Sequence, residues 1–246
     1  MKPFLPALGF ALAVGVVAPA TESSATTVIN PVEDVMTSAF FFPPDSVRGF
    51  AGDNRSVFRV SSDLAFGVGP ETIYINFDAN DFTGLATPVT SAILTMQSVD
   101  GLFNANASVS DPFIVSAHAV SADPITSITD DTNLLGPISA PDFFANNILA
   151  ADPAALTTID GFGTVEFDVT SIVQDLVDGT NQVFTIALTG KNDPQTGNGG
   201  SGFLHGFLNN TENPGATFLT VVPEPVSLLA ATGLSVLALR RRKRVA

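Results

Sequence analysis

Thr72-Ile73-Tyr74-Ile75-Asn76-Phe77-Asp78 alternates residue by residue between apolar and more polar side chains. Successive side chains of an extended strand point to opposite faces. Ile73, Ile75 and Phe77 therefore face a core, while Tyr74 and Asn76 face outward. The same period recurs along the chain. Ala92, Leu94 and Met96 form an inward row in Ser91 to Gln97, and Phe113, Val115, Ala117 and Ala119 form the next. Val165, Phe167 and Val169 come after, then Phe184, Ile186 and Leu188. Phe203 to Leu208 and Thr217 to Val222 read as the closing strands. One apolar and one polar face is the pattern of antiparallel sheets, and Gly, Asp, Asn and Pro separate the runs. The expected fold is all-β, an antiparallel β-sandwich of jelly-roll type.

One short helix interrupts the strands. In Thr170 to Gly179 the pairs Ile172/Leu176 and Val173/Val177 stand four residues apart. Asp168 or Thr170 can cap its start and Gly179 can end it. It is expected to lid an open end of the sandwich. Asp123 to Thr158, rich in Asp, Pro, Asn and Ala, reads as the longest irregular region. Phe143 and Phe144 are its expected anchors, and a loop of that length is usually functional or mobile.

Of 246 residues, 45% are hydrophobic and 14% charged, which supplies a full core and argues against disorder. Charge is unevenly placed. Between Thr26 and Val221 lie four basic residues (Arg48, Arg55, Arg59 and Lys191) and 22 of the 24 acids, all but Glu22 and Glu224, for a net −18. Nucleic acid is excluded as a partner, because phosphate binding needs Lys and Arg. Anionic membranes and polysaccharides are repelled unless divalent cations bridge. With no cysteine, the domain must be held by its core alone, and about 200 residues are enough for that.

Residues 1–25 read as a secretory signal peptide. Lys2 precedes an apolar stretch from Leu5 to Val17, and Ala18-Pro19-Ala20 supplies a small-x-small cleavage site after Ala20. Ser23-Ser24-Ala25 is a second usable site. Residues 26–222 are then the β-sandwich domain, and residues 223–246 form a separate tail. In that tail, Val226 to Leu239 is a 14-residue apolar run. As a helix it covers roughly 21 Å, short of a ~30 Å hydrocarbon core. The basic run Arg240-Arg241-Arg242-Lys243-Arg244 keeps the end cytoplasmic as a stop-transfer signal. Such a tail inserts transiently in an inner membrane and makes a poor permanent anchor.

Pro223-Glu224-Pro225, then an apolar helix containing Gly233, then Arg240 to Arg244, resembles the PEP-CTERM sorting signal. Val226-Ser227 depart from the small polar and aromatic residues common there. The resemblance implies an exosortase partner, alongside the secretion translocon and signal peptidase. It implies removal of the tail at the inner membrane and delivery to the cell surface or exopolysaccharide matrix of a Gram-negative bacterium, a biofilm setting. Ile73 to Asp78, Ser91-Ala92-Ile93-Leu94 and Phe167-Asp168-Val169-Thr170-Ser171-Ile172-Val173 are similar in order to the DNRLRE jelly-roll domains. Those are accessory or surface modules related to carbohydrate-binding modules, and no binding residue transfers from them.

No catalytic residue is assigned. His118 lies on an outward row with Ile114 and Ser116, and His205 lies in a strand with Phe203 and Phe207. Two histidines and no cysteine make a transition-metal site improbable. Gly199-Gly200-Ser201-Gly202-Phe203 fails the Gly-x-Ser-x-Gly pattern, and Gly161-Phe162-Gly163 does not continue into a dinucleotide loop. Glu166 and Asp168, two apart on a strand, stand about 6.6 Å apart on one face, near the spacing that glycosidases use. A solvated strand face, with Asp168 capping the helix, explains them more simply. Calcium is the candidate cofactor, through the loop oxygens of Asp78, Asn80, Asp81, Asp130 and Asp131, with Asn192-Asp193 as a further loop pair. Sugar platforms favour Trp and Tyr, and this chain has no Trp and a single Tyr, Tyr74. The expected function is therefore a non-catalytic structural or adhesive surface protein. A carbohydrate-binding module acting on exopolysaccharide is the first alternative, and a secreted glycoside hydrolase the second.

Overall fold

A computed structural model of the chain describes residues 25–38, 46–48, 57–61, 71–101, 106–128, 138–190 and 202–224. All belong to the unit Ser24–Glu224. The elements are β1 (Thr27–Ile29), β2 (Glu33–Ser38), β3 (Ser46–Arg48), β4 (Val57–Ser61), β5 (Thr72–Asn76), β6 (Val89–Val99), β7 (Phe113–Ala119), α1 (Pro124–Ser127), α2 (Ala140–Asn147), β8 (Leu156–Ile159), β9 (Gly163–Asp168), α3 (Thr170–Val177), β10 (Thr185–Thr189), β11 (Leu204–Leu208) and β12 (Thr217–Pro223). Strands β3-β2-β5-β10-β7-β8 form one sheet. The other runs β1-β12-β6-β11-β4, with β9 on the remaining edge of β6. Every pairing between these strands is antiparallel. The chain crosses repeatedly from sheet to sheet, so the fold is the expected all-β sandwich. The signal segment, apart from Ala25, and the tail from Pro225 onward lie outside the described residues.

The inward rows meet as alternation predicts. Ile73, Ile75 and Phe77 pack with Ala92, Leu94, Met96, Phe113, Val115, Phe167, Ile186, Leu188, Phe207, Leu219 and Val221 in one core. Burial of this surface is the main favourable term in folding. One carboxylate enters the same layer. Asp34 stands beside Met36 on β2 and is buried. Its Oδ2 accepts from the Asn210 N–H at 2.6 Å and its Oδ1 from the Thr211 hydroxyl at 3.1 Å, bolting β2 to the loop after β11. Burial pushes its pKa up, and those hydrogen bonds pull against that shift.

Strand β6 is the longest, with 11 residues. Its one edge pairs with β12 and then β11, and its other edge with β9 from Ile93 to Ser98. Where β9 ends, α3 takes over with side chains. The Thr170 hydroxyl accepts from the Ala92 N–H at 2.9 Å and donates to Asp168 Oδ1 at 2.6 Å. One turn later, Gln174 Oε1 accepts from the Val89 N–H at 2.6 Å. Val169 holds the N-cap position of α3 without a side-chain cap, and Asp168 Oδ1 just before it accepts from the Thr170 N–H at 3.0 Å. Ile172, Val173 and Leu176 face the core from the same helix.

The other sheet is covered on its outer face as well, which alternation alone does not announce. Tyr74 does point away from the sandwich interior, as expected, yet it is fully buried. It sits with Val35, Val120, Ile128, Phe143 and Ala187 in a second apolar cluster, its ring edge-to-face with Phe143 at 5.6 Å. His118 is buried on the same face. The cover comes from the stretch expected to be irregular. Asp123 caps α1 ahead of Pro124, Ser139 caps α2, and Asp152 caps a 3-10 turn at Pro153–Ala155 that leads into β8. The described chain thus has three α-helices where one was expected. Phe143 pins the cover as expected, whereas Phe144 is only half-buried.

Backbone also packs on backbone. A Cβ on Gly206 of β11 would stand 2.8 Å from Gly101 Cα, and one on Gly101 would stand 2.3 Å from Leu204 O. Gly206→Ala is expected to cost about 1–3 kcal/mol through overpacking. Gln174→Ala, which strips the Val89 N–H of its acceptor, is expected to cost about 1–3 kcal/mol. Gln174→Glu keeps an acceptor and should lose less. Chemical denaturation of the three variants beside the parent checks both expectations.

Candidate functional site

Strands β8 and β9 end the two sheets on the same side of the sandwich. Among the described residues each has a strand partner on one edge only, β7 for β8 and β6 for β9. The turn Asp160-Gly161-Phe162 joins them. A groove of about 360 Å³ runs along this seam, lined by Thr157, Thr158, Ile159, Asp160, Gly161, Phe162, Thr164, Val165 and Glu166. Pockets for small ligands start near ~300 Å³. Thr157 Oγ1 donates to Glu166 O at 2.9 Å, closing the floor between the strands. Thr158, Asp160, Thr164 and Glu166 are exposed and offer hydroxyls and carboxylates to an incoming group.

Phe162 stands at the mouth of the groove with 59% of its surface exposed. Large aromatic side chains are costly to leave in water. Its ring lies over His205, centroids 5.7 Å apart and 30° from parallel. His205 is fully buried. The Ala107 N–H donates to its Nδ1 at 3.3 Å, which leaves Nε2 to carry the ring proton toward Ser98 Oγ. Ser98 Oγ in turn donates to Gly161 O at 3.3 Å, tying the turn down. Gly163 closes the turn at φ +131°, a conformation that favours glycine. The aromatic ring is thus presented on a braced turn. Burial lowers the His205 pKa to about 4, with Asp100 pulling weakly the other way.

The structure sorts the residues that the sequence singles out. Glu166 and Asp168 share the exposed face of β9 as expected. Asp168 is committed to the start of α3, so only Glu166 joins the groove. Asp78 Oδ1 accepts from both the N–H and the side-chain amide of Asn80, at 2.9 and 2.8 Å. It thereby caps the 3-10 turn Ala79–Phe82, which seats Phe82 in the core. Asp81 is exposed on that turn. Asp130, Asp131, Asn192, Asp193, Ser201, Ala20, Pro225 and Arg240 to Arg244 lie outside the described residues. Among the described residues, no three His, Cys, Asp or Glu side chains converge as metal ligands. His118 Nδ1 donates to Leu149 O at 2.7 Å and its Nε2 lies 2.7 Å from Ser116 Oγ, a buried structural arrangement.

Phe162 is the residue that sequence reasoning misses, taking it only as the middle of Gly161-Phe162-Gly163. The available signal is a phenylalanine flanked by glycines between two strands, where the chain turns and little can bury it. No family model matches the chain, and no curated protein matches its sequence. The geometry defines the class: an antiparallel β-sandwich with an aromatic-lipped groove on its seam.

The low pKa of His205 has a sign that can be measured. The unfolded chain binds a proton below pH 6.5 that the folded chain refuses until about pH 4. Stability is therefore full above the upper value and is lost as pH falls through this window, by roughly 3 kcal/mol. Glu33 and Asp34 act in the opposite sense, since burial raises both their pKa values. Equilibrium unfolding from pH 7 to 4 should show a loss attributable to His205. His205→Gln should flatten that limb while leaving the carboxylate contribution intact.

Proposed function

We propose that the chain is an exported surface or matrix protein, sorted through a PEP-CTERM tail by an exosortase, with a non-catalytic, adhesive sandwich. One observation carries this reading. The last strand, β12, ends at Pro223, and the Glu224 N–H still bonds to Pro88 O at 2.9 Å. Every described strand and every residue of the two apolar clusters lies on the N-terminal side of Pro225. The compact unit Ser24–Glu224 closes within the motif, where the proposed processing would cut. The sequence pattern puts the domain boundary at Val222, and the folded unit extends through the first two residues of the motif.

The adhesive part rests on the groove. It presents an aromatic ring and hydroxyl and carboxylate oxygens on rigid edge strands. Among the described residues, two groups that a hydrolase could recruit are committed elsewhere. Asp168 is bound to Thr170 at the start of α3, and His205 presents its protonated nitrogen to Ser98, the wrong tautomer for taking a proton from it. Carbohydrate binding at the groove is the second reading, supported by the exposure of Phe162.

Mass spectrometry of the protein recovered from the producing cells tests the sorting part. A chain starting at Thr21 and ending close to Pro225 is expected, and deletion of the exosortase gene should leave the tail attached. An intact carboxyl terminus held permanently in the inner membrane of otherwise normal cells would overturn the proposal.

A further inference from the structure

We infer that the groove between β8 and β9 binds a neutral or amino-bearing glycan and rejects polyuronates and other anionic chains; this rests on the adhesive reading of that groove. Three features of the lining decide the ligand class. Phe162 supplies an apolar plane at the mouth, fitted to the axial C–H face of a pyranose ring. Because the ring already lies against buried His205, on a turn fastened by Ser98 and Gly163, little motion remains to be frozen on binding.

The second feature is the polarity of the partners. Asp160 and Glu166 are exposed carboxylates, hydrogen-bond acceptors when ionised. A complementary ligand must be rich in donors, and sugar hydroxyls or ammonium groups meet that need. Thr158 and Thr164 add hydroxyls able to donate or accept. An extended peptide satisfies the groove less well, since it offers one N–H per residue matched by a carbonyl that the carboxylates repel.

The third feature is charge. Among the described residues the lining contains no Lys or Arg, and the region from Thr26 to Val221 carries a net −18. A uronate or sulfate ester would meet two carboxylates and no counter-charge. An amino sugar would meet an attractive field, strongest at low ionic strength.

The experiment is calorimetric titration of the full-length protein with three probes: cellohexaose, fully deacetylated chitohexaose and hexagalacturonate. Binding of the first two and none of the third is expected, the chitohexaose weakening as salt is raised. Phe162→Ala should lower affinity for both bound probes about tenfold. Glu166→Gln should weaken chitohexaose more than cellohexaose. Both positions are exposed, and an unchanged melting temperature verifies that each variant is folded. Equal or tighter binding of hexagalacturonate, indifference to Phe162→Ala, or no binding of any probe would overturn the inference. A cell-attachment assay separates this from the underlying reading. Attachment lost in Phe162→Ala without glycan binding keeps the adhesive groove and removes the glycan, whereas attachment unchanged in that variant removes both.

Discussion

A buried strand cannot leave its peptide groups unpaired, and β6 makes that demand on both of its edges at once. Its 11 residues are longer than any partner. Two strands share one edge, β12 and then β11, and the crossing between them brings Gly206 so close to Gly101 that neither tolerates a Cβ. The opposite edge starts with β9 and ends with the side chains of Thr170 and Gln174. Helix α3 therefore does more than cover the sandwich. It supplies ladder acceptors at the i and i+4 spacing that places both on one helix face. The position of β9 at the sheet edge, and hence the groove, depends on this arrangement.

Inward rows are legible because period-two alternation survives wherever one face of a strand meets a core. Ile73, Leu94, Phe113, Phe167 and Ile186 all lie where alternation puts them. The outward rows mislead. Thr72, Tyr74, Ser116 and His118 are polar or amphipathic, and such residues read as solvated, yet all four are buried. Tyr74 is covered by Ile128 and Phe143, with Ile125, Ile138 and Ile148 packed against them, spread over a segment too irregular to show any period. Polarity announces which residues can face water. It does not announce that they do: Ser116 and His118 are buried because neighbouring backbone satisfies them, the Ser116 hydroxyl donating to Thr189 O and His118 Nδ1 to Leu149 O.

The groove is illegible for a related reason. Its residues come from two edge strands belonging to different sheets, and sequence alternation identifies strands without showing which lie at edges. Glu166 is visible as half of an acid pair whose other half, Asp168, belongs to the helix start. The Asp-Val-Thr run carries that information, since a carboxylate two residues before Thr can accept from both its N–H and its hydroxyl, as Asp168 does at the helix start. What sequence does not show is the registry that sets Phe162 over His205, residues far apart in the chain brought together by the β6–β11 and β6–β9 pairings.

Rigidity and exposure are divided between neighbouring atoms at this seam. His205, Ser98 and Ala107 are held in a network whose neutral imidazole is set by burial. Phe162, directly above, stays in water. Exposing a large aromatic ring forgoes burial energy and raises the risk of association, so stability alone gives no reason to keep it there. An exposed ring that nonetheless rests on a fastened turn has lost most of its freedom before any contact is made. That combination lowers the entropic cost of binding while leaving the surface free to bind. The net charge supplies the complementary restraint, because copies of a strongly acidic sandwich repel one another and the exposed ring is protected from self-association. The same charge then narrows what the ring can meet to partners that are uncharged or positive.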